Sequence, residues 1–133
     1  MLASAIDSIR LFLHVIGATI WVGGQLTLAA LVPVLRAFDP SLPKKAAIAF
    51  NKVAWPAYGL LILTGIWNVA ATPAGTSSNY NVVLGIKMAV VALSGVAAYL
   101  HSKAKSTPAL AIWGALSGLS ALGATYLGAL LAG

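Results

Sequence analysis

Residues 11–35 read LFLHVIGATIWVGGQLTLAALVPVL, a run without one charged side chain. At about 1.5 Å per residue, a helix of this length exceeds the roughly 30 Å hydrocarbon core of a bilayer. The run is also longer than the about 7–15 apolar residues of a signal-peptide core, so it reads as a retained membrane span. His14 and Gln25 are polar groups that lipid would leave unsatisfied, so the face carrying them should point into protein.

The same pattern recurs along the chain. Charges and breakers mark four apolar helices at about 9–35, 53–71, 82–101 and 109–132. Across all 133 residues, 60% are hydrophobic and 8% charged. A soluble domain carries roughly 25% charged residues, so the expected fold class is an all-α integral membrane protein. Short connections favour antiparallel neighbours, which makes it a four-transmembrane-helix up-down bundle formed by a single domain, 1–133. The chain has no cysteine, which removes disulfides, iron–sulfur clusters and thiolate metal sites. With Asp7 and Asp39 as its acids, it also has no paired-carboxylate site and no Ser-His-Asp set, so hydrolytic and phosphoryl-transfer chemistry lack the residues to carry them.

The basic residues are unevenly placed. Arg36, Lys44, Lys45 and Lys52 lie around the Asp39-Pro40-Ser41-Leu42-Pro43 turn, and Lys103 and Lys105 lie in the last connection. The connection between them, Thr72-Pro73-Ala74-Gly75-Thr76-Ser77-Ser78-Asn79-Tyr80-Asn81, has no charge at all. By the positive-inside rule the first and third connections face the cytoplasm and both termini face outward, in a multi-pass protein of a bacterial-type inner membrane. Trp55, Tyr58 and Trp113 then fall near the inner interface, and Trp67 and Tyr126 near the outer one. The net charge of +6 therefore reads as topology signal and contact with anionic lipid, the expected partner, and not as a nucleic-acid surface.

Helical periodicity places His14, Trp21, Gln25 and Val32 on one face of the first span. Lys87, Val91, Ser94, Ala98 and His101 share a face of the third. Thr64 and Asn68 stand one turn apart in the second, and the fourth has a small-residue seam of Gly114, Gly118, Ala121, Thr125 and Gly128. Lys87 is a cation inside an apolar span, a costly placement that usually marks a site. His14 and Lys87 each lie about five residues in from the outer side, roughly 8 Å deep, in one slab with Thr64, Trp67 and Asn68. His101 lies about 21 Å deeper than Lys87, which excludes a haem held by both histidines of one chain.

These residues carry a resemblance. Leu13-His14-Val15-Ile16-Gly17-Ala18-Thr19-Ile20-Trp21-Val22-Gly23-Gly24 resembles the His-x6-Trp-x-(Gly/Ala)-Gly signature of the copper resistance protein D (CopD-like) family and a similar segment of HemJ-type protoporphyrinogen oxidases. The likeness continues through Phe50-Asn51-Lys52-Val53-Ala54-Trp55-Pro56, Leu63-Thr64-Gly65-Ile66-Trp67-Asn68 and Gly85-Ile86-Lys87-Met88-Ala89-Val90-Val91, three of the four helices in order. In the HemJ-type branch the matching histidine and lysine are implicated in b-type haem binding, which implies His14 as a haem iron ligand and Lys87 as its companion. The CopD name implies copper, yet copper(I) prefers soft sulfur ligands and the chain has only Met1 and Met88 to offer.

Alternative readings stand for His14 and Lys87. His14 is either a neutral imidazole bonded across helices, to Thr64 or a backbone carbonyl, or the axial ligand of haem b. Lys87 either snorkels outward to pair with Asp7, or meets a haem propionate, or ligates iron as a neutral amine. Trp21, Gln25, Thr64 and Asn68 complete the candidate cofactor-binding set, and His101 reads as a solvated interfacial residue. The leading functional expectation is a CopD/HemJ-like haem protein in electron transfer or oxidation of a small membrane-soluble donor, a haem-dependent oxidoreductase. The alternatives are copper transport or resistance, and a non-catalytic accessory subunit of a larger membrane complex. Self-association into a homo-oligomer fits a bundle this small.

Overall fold

The computed structural model describes residues 2–72 and 75–132. Among the described residues the chain is helical, with no strand. The elements are α1 (Ala5–Ala18), a π-helical segment (Thr19–Gly23), α2 (Gly24–Phe38), α3 (Leu42–Ala71), α4 (Ser78–Lys103) and α5 (Thr107–Ala132). Since α1, the π segment and α2 follow without a break, four helices are long and apolar enough to cross a membrane: Ala5–Phe38, Leu42–Ala71, Ser78–Lys103 and Thr107–Ala132. The described contacts group into two compact units, Met1–Thr72 and Pro73–Gly133.

Three of the helices, α1, α4 and α5, start at a serine that caps them. Ser4 accepts from Asp7 N at 3.1 Å at the head of α1, and Ser77 accepts from Tyr80 N at 3.1 Å at the head of α4. Ser106 caps α5 through Ala109 N at 3.3 Å. In α3, Pro43 sits in the first turn, where its missing N–H is no loss. Gly75 adopts a φ of +87°, a backbone conformation that side chains disfavour, in the connection before α4. Pro73 and Ala74 of that connection, and Met1, lie outside the described residues.

Four boundaries differ from expectation by three or more residues, the first being the start of the first span, at Ala5 and not near 9. The second span begins at Leu42, not near 53, so Lys44, Lys45 and Lys52 ride on α3 and the first connection shrinks to the Asp39-Pro40-Ser41 turn. Apolar counting stopped at the lysines because it measures affinity for lipid, whereas helix propensity is high across alanine and lysine alike. The third helix begins at Ser78, which absorbs four residues assigned to the uncharged loop. The first span continues to Phe38 and is interrupted by the π segment, which the apolar pattern did not reveal.

In the first unit, partner numbers fall along α3 as they rise along α1 and α2. A Cβ on Gly17 would lie 3.0 Å from Leu61 Cγ and 3.1 Å from Ala57 O, and one on Gly24 would collide with the Phe50 ring. Glycine at these two positions lets the backbones close. The second unit is a hairpin of α4 and α5 whose core is small: Ser94, Gly95 and Ala97 against Ser117, Ser120, Ala121 and Ala124. The seam expected on the fourth span is therefore partly displaced. Ala121 is buried as expected, but Thr125 is exposed and a Cβ on Gly118 would meet nothing within 4 Å.

Candidate functional site

His14 lies on α1 one turn before Gly17, where α1 and α3 approach most closely. That approach brings its Nδ1 to 2.7 Å from Thr64 Oγ1 on α3. Thr64 is 2% exposed, and its hydroxyl donates back along α3 to Leu60 O at 2.7 Å. A hydroxyl has one proton to give, so toward His14 the threonine oxygen accepts and Nδ1–H donates. The network thus assigns a proton to Nδ1. Gly65 follows Thr64, and a Cβ there would sit 4.0 Å from His14 Cε1, which is ordinary contact. The interhelical hydrogen bond expected between His14 and Thr64 is present. An imidazole oriented through one nitrogen is also the usual preparation of a metal-ligating histidine, so the two sequence readings of His14 are compatible.

Trp21 sits in the π segment and is 4% exposed. Its ring packs on Trp55 at 5.2 Å and Tyr58 at 4.6 Å between centroids, and those two meet at 5.8 Å. Trp55 and Tyr58 are both half-buried and turned to Trp21. The wide π turn disturbs the local hydrogen-bond ladder, and Thr19 Oγ1 donates to Val15 O at 2.7 Å beside it. Single π turns are frequent at functional sites. Gln25 is half-buried one turn beyond Trp21, and Asn68 is half-buried one turn beyond Thr64, with its carbonyl taken by the Thr72 hydroxyl at 2.8 Å. Five of the six candidate site residues, His14, Trp21, Gln25, Thr64 and Asn68, therefore belong to the first unit.

Lys87 belongs to the second unit. Its half-buried side chain lies over Gly128 of α5, where a Cβ would come 3.3 Å from Nζ. Asp7, in the first unit, pairs with Arg10 Nη2 at 3.0 Å and accepts from the Ser4 hydroxyl at 2.8 Å. One helical face below Lys87, Ser94 Oγ donates to Ser117 O at 3.0 Å while Ser117 Oγ donates to Ser94 O at 2.9 Å. His101 is not simply solvated: Nδ1 donates to Leu110 O at 2.8 Å, and the ring covers Gly114. The reciprocal serines were visible only as two small residues, because nothing in either helix alone says that they are opposite one another.

Among the described residues no group of three or more His, Cys, Asp or Glu side chains gathers to hold a metal ion. A haem asks less of the protein, namely one axial donor with its other ring nitrogen satisfied, and the His14–Thr64–Leu60 chain fits that requirement. No protein-family model matches the chain, and neither a curated protein nor a solved structure matches it.

Proposed function

We propose that this chain is a multi-pass membrane protein that carries a b-type haem on His14, acting in electron transfer or in oxidation of a small membrane-soluble donor. The observation that carries this reading is the relay from Leu60 O through Thr64 Oγ1 to His14 Nδ1, which orients the imidazole in the way usual for a metal-ligating histidine. When bound, the haem supplies the one-electron chemistry. The chain's own part is to hold the imidazole in one tautomer, to keep its plane fixed through Thr64, and to exclude water with the Trp21 cluster. Lys87 keeps the supporting role that the HemJ-type resemblance implies, a cation suited to a propionate. We further propose that the two hairpins assemble as one up-down bundle in a bacterial inner membrane, with Arg36, Lys44, Lys45, Lys52, Lys103 and Lys105 cytoplasmic and both termini outward.

Copper gains no comparable support, because the described methionine, Met88, stands exposed with no cysteine in the chain to join it. The deciding experiment is the visible absorption spectrum of protein purified from haem-replete cells. Wild type should show a haem spectrum, and His14→Ala should lose it while keeping its helical circular dichroism. A full spectrum in His14→Ala would end the assignment, and a colourless, metal-free wild type would leave the accessory-subunit reading.

A further inference from the structure

Helix α3 is longer than a membrane requires. Its 30 residues span about 45 Å at 1.5 Å each, against a hydrocarbon core of about 30 Å. Roughly ten residues must therefore lie outside the core, and composition places them at the lysine-bearing start, 42–51. There Lys45 and Lys52 are two turns apart on one line of the helix, with Ile48 between them and Lys44 beside them. All four are exposed. Phe50 projects from nearly the opposite side and packs onto Gly24, so it fixes the rotation of α3 and turns the lysine face away from its own hairpin.

Among the described residues no ion pair joins this face to Asp39, the acid of the hairpin turn. Asp39 accepts from Ser41 N and from the Ser41 hydroxyl, each at 2.8 Å. Arg36 adds a fourth cation in the last turn of α2, and Phe38 beside the turn is 87% exposed. Cations interleaved with exposed apolar side chains suit a boundary where phosphates meet the ends of acyl chains. The long lysine stems can lie along that boundary with their charges outward. The face is also continuous, on one rigid helix, with the apolar span that places it there.

We propose that the Lys44, Lys45, Ile48 and Lys52 face of α3, with Arg36, is a binding face for anionic phospholipid headgroups. This rests on the membrane reading of the four spans and is independent of the haem. The test uses the full chain in nanodiscs of phosphatidylcholine, with or without phosphatidylglycerol, reading thermal unfolding and the lipids retained in native mass spectrometry. Phosphatidylglycerol should raise the wild-type Tm, and 0.5 M salt should remove most of the rise because exposed charges are screened over about 10 Å or less. The triple variant Lys44→Gln, Lys45→Gln, Lys52→Gln should lose more than half of the rise, while Lys103→Gln, Lys105→Gln should keep it. Equal loss in both variants would reduce the effect to net charge and overturn the proposal. So would the absence of any shift, or an equal shift with inorganic phosphate alone. Resistance of the protein to alkaline extraction from membranes is read in parallel. Its loss would defeat the membrane reading, whereas retention without a lipid preference would defeat only this face.

Discussion

The two hairpins hold themselves together by opposite means. In the first, large rings and a distorted helix do the packing: Trp21 in a π segment, Trp55 and Tyr58 across from it, Phe50 on Gly24, and His14 bonded to Thr64. In the second, regular helices meet through serine, alanine and glycine, with Ser94 and Ser117 exchanging hydrogen bonds to each other's carbonyls. The second solution lets backbones approach and satisfies each polar group locally, as helix pairs in lipid usually do. The first carries prolines inside both long helices, Pro33 and Pro56, which remove N–H groups from the ladder. Irregular backbone and an oriented imidazole coincide in the first hairpin, which is why the candidate chemistry is assigned there and the second is read as the more scaffold-like unit.

The largest effect should come from forcing the first hairpin open. Gly17→Leu must displace Leu61 and the Ala57 carbonyl, an overpacking that costs about 1–3 kcal/mol. It should also separate His14 from Thr64, so detergent unfolding and the histidine ring resonances should change together. If stability falls while the histidine signals stay put, the close approach at Gly17 is not what positions the ring.

A narrower cut tests the bond itself. Thr64→Val keeps the shape but removes the acceptor that faces His14 Nδ1, at a cost of about 1–3 kcal/mol. In haem-loaded protein the same change should shift the reduction potential while the spectrum survives, because the ligand remains and only its support is lost.

In the second hairpin the reciprocal serines predict a smaller, coupled effect. Ser94→Ala and Ser117→Ala should each cost about 0.6 kcal/mol, the average for interhelical hydrogen bonds in membranes, and no more than about 1.7 kcal/mol. The double variant should cost less than the sum, since each side chain serves the other's backbone. Strict additivity in a double-mutant cycle would show that the two bonds act independently.

Gly118→Leu should change stability by less than about 0.5 kcal/mol, because a side chain there enters open space on α5. A large loss, or dissociation of an oligomer, would reveal that this face is covered by something else. The smallest effect belongs to the turn of the first hairpin. The Ser41 backbone N–H, and then its hydroxyl, hold the Asp39 carboxyl below its ordinary value of 3.8. A depressed folded value means stabilisation that is present above pH 3.8 and fades as pH falls through the lower folded value. Amide exchange at Ser41 should therefore quicken only below that pH, and Asp39→Asn should remove the acid dependence.

Much of this was legible in the chain itself. Four apolar runs, separated by basic or uncharged breaker-rich connections, needed no partner to be read as membrane-spanning helices, because the cost of putting charge into lipid acts residue by residue. The shared depth of His14 and Thr64 followed from counting along two spans, and the pair is joined. Only tertiary structure could decide rotation and local register. That Thr19–Gly23 widens into a π turn, that Trp55 and Tyr58 look inward to Trp21, and that Ser117 replaces Gly118 at the α4 contact all depend on which face a second helix presents. The reason is physical: hydrophobicity is a property of each side chain against its solvent, whereas a ring contact, a reciprocal hydrogen bond or a glycine under a phenyl ring exists only between two surfaces.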